Sequence, residues 1–355
     1  MLNPFTSELP EDYEKTIKEF GIKLIDEKLK KRLPDNYLFR RNIIFAHRDL
    51  DKFLDAIEKG EDVAVLTGIK PSNNFHLGSK LVAEQMKIYQ SMGAKIFYTV
   101  ADLEAYHVNK KALSELHEIA VDNVADLLAL GIKDSNYFYK QSEEKEVMRE
   151  GYLYSRNVTY NMMKAIYGEK TIGENMVSLL QVGDILYPQN EKFGGKKHVI
   201  VPIGLDQDPH MRLTRDIAFK HKLILPSSTY HKFMRSLSGS EKMSKRDELG
   251  MISLSDNEKV IEKKVNRALT GGRDTIQEQK IKGGQPDKCV VFELFAYHFE
   301  KDDEKLLERK KACLKGELTC GQCKKELIEK INSFLKQHQE KKEKLKDKAE
   351  RLLIH

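Results

Sequence analysis

No run of about 18 apolar residues occurs anywhere in the chain, so no segment reads as a membrane span. The first residues, MLNPFTSELPEDYEK, lack both a basic stretch and an apolar core. A secretory signal peptide is therefore not expected, and a cytoplasmic setting is. Cysteine is scarce and late: none precedes Cys289, and only Cys313, Cys320 and Cys323 follow it. That distribution speaks against a disulfide framework and, in a reducing compartment, for metal binding. Tryptophan is absent altogether, which by itself excludes nothing, and neither an internal repeat nor a low-complexity tract is visible. Charge of one sign is not in large excess, with a net formal charge of +6. The excess is concentrated late, since residues 301–355 hold 16 Lys and Arg against 11 Asp and Glu. A structured RNA is the polyanion such a bias fits; neither a membrane nor DNA is expected as a partner.

What is present is ample core material: 40% of 355 residues are hydrophobic, enough for one large domain and a smaller one. Residues 11–60 read as polar and helical, with Gly60 closing a helix after HRDLDKFLDAIEK. DVAVLTG, ending at Gly68, is a short apolar run of the kind buried in a parallel sheet, and HLGSKLVAEQMKIYQSMG follows with helical spacing. AKIFYTVADLEAY and KHVIVPIG each repeat the strand, with helices after them. This alternation predicts an α/β fold, a doubly wound parallel sheet with ligands where strands end. Residues around 135–195 read as a helical insertion, and the pattern is helical almost throughout beyond residue 255.

Two loops carry chemistry. In PSNNFHLGS, between the first strand and its helix, backbone amides at the helix start suit an anion. His76 adds a donor beside them, and Gly78 lets a ring or phosphate approach the backbone. In GSEKMSKRDE, Lys242 and Lys245 flank Ser244, and Gly239 lets the loop bend. Such a loop can close over a triphosphate and neutralise the charge that develops in displacement.

Taken in this order, the pair resembles the HIGH-like and KMSKS-like signatures of class I aminoacyl-tRNA synthetases. RRNIIFAHRDL at 40–50, PIGLDQDPHMRLTRDIA at 202–218, TGGR at 270–273 and GGQPDKCVVFELFAYHFEKDD at 283–303 narrow the likeness. They resemble the tryptophanyl-tRNA synthetase family of archaeal and eukaryotic type over nearly the whole chain. The resemblance implies a Rossmann-like catalytic domain over 61–254, preceded by a helical extension over 1–60. A helical domain over 255–355 would carry the cysteines and meet the anticodon region. It further implies an ATP-dependent tryptophan-tRNA ligase with Mg²⁺, L-tryptophan and tRNA(Trp), and a homodimer.

By the same resemblance, His76, Lys242, Ser244 and Lys245 are the expected catalytic residues. Thr67, Gly68, His76, Gly78, Gly204, Asp206, Met243 and Lys245 are expected around ATP, with Asp206 placed to accept from ribose hydroxyls. Indole offers one donor, so a selective pocket needs one acceptor in an apolar box. Asp184 is the first candidate and Glu104 the second, with Gln181 and Gln207 orienting the substrate. Three positions depart from the family pattern: Leu66 stands where tyrosine is common, Ser79 where histidine is usual, and Arg246 where serine is usual. The departure at Leu66, with DQDPH and TGGR, disfavours the sister family for tyrosine. A synthetase-like RNA or nucleotide binder without aminoacylation is the rival of a different class. Cys289, Cys313, Cys320 and Cys323, the last two separated by Gly321 and Gln322, can ligate Zn²⁺ or hold a 4Fe-4S cluster. The spacing resembles an iron-sulfur site found in some members of the family.

Overall fold

The computed structural model describes residues 17, 19–71, 75–134, 136–244 and 247–353. Among these residues seven strands form one sheet in the order β1-β2-β7-β6-β3-β4-β5. They are β1 (Lys23–Leu24), β2 (Ile44–Arg48), β3 (Val63–Ile69), β4 (Lys95–Val100), β5 (Tyr137–Lys140), β6 (His198–Gly204) and β7 (Ser227–His231). β3 to β7 are mutually parallel, while β1 and β2 run antiparallel at one edge.

The parallel core follows from residues covered on both faces. Along β3, Val63, Val65 and Ile69 enter one hydrophobic cluster, while Ala64 and Leu66 enter another on the opposite face. The first cluster is closed by α1 (Leu77–Ser91) and α2 (Leu113–Ala129), and the second by Tyr187, Ile185 and Met211. The helical region does not stand apart from this core. α3 (Cys320–Glu343) begins with a capping box between Thr319 and Gln322 and turns Leu327, Ile331 and Leu335 into the same cluster as β3. On its next turn His338 Nε2 and Lys342 Nζ reach the fully buried Asp126 of α2, at 2.7 and 2.9 Å.

Three expectations change. The segment before residue 60 is not simply helical: IFAHR forms β2 between β1 and β7, with Ile44 packed in one hydrophobic cluster and Phe45 and Ala46 in another. The expected insertion begins one strand late, since Tyr137–Lys140 is β5 and pairs with β4. ADLEAY leaves the sheet at Ala101, whose N–H donates to Ile69, and continues as a helix, Asp102–Asn109. Gly60 does adopt a positive φ of 73° just past the helix Leu50–Glu58.

Candidate active site

The parallel strands β3, β4, β6 and β7 end on one side of the sheet, and a cleft of about 430 Å³ opens there. On one wall His76 caps α1, its Nδ1 accepting the Gly78 N–H at 3.0 Å. That bond requires the ring proton to sit on Nε2, leaving Nε2–H as the donor. Gly78 is needed for this fold-back, because a Cβ there would lie 2.7 Å from His76 Cε1. The loop is stitched to the segment after the lysine loop: Leu77 N–H donates to Ile252 at 3.1 Å and Leu254 N–H to Phe75 at 2.8 Å. The His76 loop is thereby tied to the chain that leaves the lysine loop, far from it in sequence.

Across the cleft Lys242 Nζ donates to Asp206 Oδ2 at 2.6 Å and lies 5.2 Å from the centre of the Phe233 ring. Gly204 makes room for both neighbours, since a Cβ there would meet Asp206 Oδ1 and Phe233 Cε1 at 2.7 Å each. Gln207 Nε2 donates to the same Asp206 oxygen at 3.2 Å. Met243 is buried on the cleft wall. Ser244 stands next to it without lining the cleft, and its carbonyl accepts from Asp247 N–H at 3.3 Å. Lys245 and Arg246 lie outside the described residues.

The deep end is built differently. Asp184, 1% exposed, accepts from Tyr139 Oη at 2.8 Å and from Gln141 Nε2 at 2.6 Å. Burial pushes its carboxyl up to about 7, against the lowering effect of those bonds. Gln181 lies one helical turn before it and lines the same cleft. Glu104 also lines the cleft and pairs with Lys70 Nζ at 3.3 Å. Thr67 and Gly68 close the end of β3, where a Cβ on Gly68 would strike Thr99 of the neighbouring strand. His210 and His231 line the wall uncharged, since burial lowers the former to about 3 and the latter to about 4. Tyr167 Oη holds His210 Nδ1 at 2.7 Å.

Residues 58–336 match the family model for tRNA synthetases class I (W and Y). The chain belongs to this family of class I tRNA synthetases. It is 41% identical to the tryptophan–tRNA ligase of Methanocaldococcus jannaschii over 99% of this chain and 98% of that protein. It is 42% identical to that of Hyperthermus butylicus over 98% and 96%. The crystal structure of tryptophanyl-tRNA synthetase from Aeropyrum pernix superposes with a TM-score of 0.92 at 41% identity, covering 97% of this chain and 96% of that one.

Within this synthetase fold, the described residues expected at the site converge on one cleft, Ser244 excepted. Sequence reasoning missed Tyr139, Gln141 and Lys70. The first two were recoverable from YFYKQ, where Tyr137, Tyr139 and Gln141 alternate onto one side as strand residues do.

The four cysteines of the synthetase line a second, small cavity together with Arg309 and Phe295. Among the described residues, however, no three His, Cys, Asp or Glu side chains are gathered closely enough to hold an ion. The surroundings are nonetheless cut to thiol size. A Cβ on Gly272 would meet Cys320 Sγ at 2.9 Å, and one on Gly284 would meet Cys313 Sγ at 2.7 Å. Arg309 Nη1 lies 3.7 Å from Cys323 Sγ, while its Nε is buried without a partner. Burial raises the Cys323 thiol to about 11.

Proposed function

We propose that this chain is an ATP-dependent tryptophan-tRNA ligase. The observation that carries the reading is a single cleft with two unlike ends. One end presents His76 and Lys242, donors suited to phosphate; the other presents one buried carboxylate, Asp184, among apolar and aromatic walls. In the first step the tryptophan carboxylate attacks the α-phosphate of ATP, the bond to the bridging oxygen breaks, and pyrophosphate leaves. In the second, a terminal ribose hydroxyl of tRNA(Trp) attacks the acyl carbon of the adenylate, loses its proton, and displaces AMP.

No protein nucleophile is needed, so the work is positioning and charge stabilisation. His76 Nε2–H, Lys242 and Lys245 oppose the charge on the phosphates, and Ser244 helps to hold the loop that carries them. Lys242 exchanges Asp206 for phosphate when ATP enters, which frees Asp206 to accept from ribose hydroxyls. A carboxylate has about four acceptor positions, so Asp184, already holding two donors, keeps capacity for the indole N–H. Glu104, Gln181 and Gln207 surround the ammonium and carboxylate of the amino acid, and Thr67, Gly68, Gly78, Gly204 and Met243 shape the walls. Mg²⁺ would neutralise the leaving phosphates and would arrive with them, because Asp184 and Glu104 are already held by side-chain donors and Asp206 is taken by the ribose.

The same reading places the protein in the cytoplasm as a homodimer. Exposed Tyr152, Leu153, Tyr160 and Ile172, all in the helical segment that follows β5, support that interface. Cys289, Cys313, Cys320 and Cys323 would hold Zn²⁺ or a 4Fe-4S cluster, and either would brace the helices that meet tRNA. Charging of tRNA(Trp) with labelled tryptophan, beside tyrosine and phenylalanine, tests the function. Acceptance of tyrosine at equal efficiency would overturn the assignment.

A further inference from the structure

The hairpin that brings Lys242 to the cleft is gripped from outside it. Arg235 and Lys242 face each other in an antiparallel bridge, flanked by Ser236 N–H to Glu241 and Met243 N–H to Met234, both at 2.7 Å. In that arrangement the bridged pair exchanges no hydrogen bonds of its own, so the Arg235 amide points away from the Lys242 strand. Glu293 meets it there. Its Oε1 accepts the Arg235 backbone N–H at 2.7 Å and its Oε2 accepts Arg235 Nε–H at 2.6 Å. The two side chains are only 21% and 14% exposed.

Glu293 belongs to the short helix Val290–Leu294 of the helical region, whose N-cap is Cys289, the Sγ accepting from Phe292 N–H at 3.4 Å. A backbone link runs parallel to this contact: Leu269 N–H donates to Leu237 of the hairpin at 2.8 Å, and Val290 N–H donates to Leu269 at 3.1 Å. Gly239, at φ +83°, turns the hairpin where a Cβ would collide with Leu269. Neither Arg235 nor Glu293 lines the cleft.

We infer that Arg235 and Glu293 are positioning residues for the phosphate-binding lysine loop, setting Lys242 from the helical region. A surface ion pair would only tie two elements together. Here one carboxylate fixes both the backbone and the side chain of the residue directly opposite Lys242, so hairpin height and lysine placement move as one. The inference rests on the reading of the cleft as an ATP site.

The test is ATP-pyrophosphate exchange with the full chain and its Glu293→Ala, Glu293→Gln, Arg235→Ala and Arg235→Ala/Glu293→Ala variants, alongside thermal melting. Glu293→Ala is expected to lower kcat/KM for ATP about tenfold while KM for tryptophan stays unchanged. Glu293→Gln, which keeps an acceptor for the Arg235 amide, should fall between it and the unmodified protein, and the double variant should be no worse than Glu293→Ala alone. Equal shifts in both KM values, or additive single effects, would reduce the pair to a structural brace and overturn the inference. If Glu293→Ala does not fold, Glu293→Gln is judged by the same ATP-against-tryptophan split. Absence of exchange in the unmodified protein would instead overturn the ATP reading beneath it.

Discussion

Tyr139 Oη donates to Asp184 Oδ1 at 2.8 Å at the closed end of the cleft, and the pair joins the last residues of β5 to the helix Ile172–Leu186. A carboxylate so buried, held up at about 7, is half protonated near neutral pH. The indole N–H bonds more strongly to the ionised form than to the neutral carboxyl, so such a bond favours ionisation.

Tryptophan binding should therefore release a proton near pH 7, and its affinity should rise as the pH rises through about 7. Calorimetry in buffers of different ionisation enthalpy measures the release. Asp184→Asn should abolish both effects and weaken tryptophan binding while leaving ATP binding largely intact. Unchanged proton release would move the acceptor role to Glu104.

The folding side of the same shift has the opposite consequence. Because the folded pKa lies above the usual carboxylate value near 3.8, the folded state holds more protons than the unfolded state between roughly pH 4 and 7. Asp184 thus favours folding least above pH 7. The melting temperature of Asp184→Asn relative to the unmodified protein should increase as the pH is raised from 4 to 7, and then level off. A difference that is flat with pH would mean that the carboxyl is not held high.

Lys245→Ala should slow adenylate formation by about 10²-fold or more while tryptophan binding persists. The chain has no tryptophan of its own, so the ligand's fluorescence, excited beyond tyrosine absorption, reports binding without background. Loss of binding in step with loss of exchange would place the loop's role elsewhere than on the phosphates.

Asp126 depends on its partners from α3, Lys342 and His338. Lys342→Met should cost about 3 kcal/mol, because it removes the ammonium paired directly with a fully buried carboxylate. Denaturant melts measure this. A loss below about 1 kcal/mol would show that the charge is compensated from another side.

On the reading proposed for the four cysteines, which are not gathered around one centre in this structure, anaerobically purified protein should carry either a stoichiometric Zn²⁺ or an iron-sulfur absorption band, and Cys320→Ser/Cys323→Ser should lose it. Elemental analysis decides between the two metals. A metal-free protein with unchanged melting would make the four cysteines ordinary packing residues.

The parts of this architecture that were legible in the sequence are those where local pattern and tertiary role coincide. VAVLTG and HVIVPIG are continuous apolar runs because the sheet buries both their faces, and the His76 and Lys242 loops carry their chemistry in consecutive residues. β2, β5 and β7 were not read as strands. IFAHR sits among charges, and SSTYH gains its burial from neighbours distant in sequence, so neither run is apolar enough to declare itself. The Tyr139–Gln141–Asp184 arrangement was missed for a different reason: the helical reading of 135–195 passed over the alternation in YFYKQ and placed no strand beside Asp184. The pairing of Arg235 with Glu293 spans 58 residues and two structural regions, and no periodicity marks it.

The most direct test of the account is ATP-pyrophosphate exchange on the metal-replete protein with tryptophan, with tyrosine and with no amino acid in parallel. The account predicts exchange with tryptophan alone. Exchange with tyrosine at a comparable rate, or none with any amino acid from a folded sample, would contradict it.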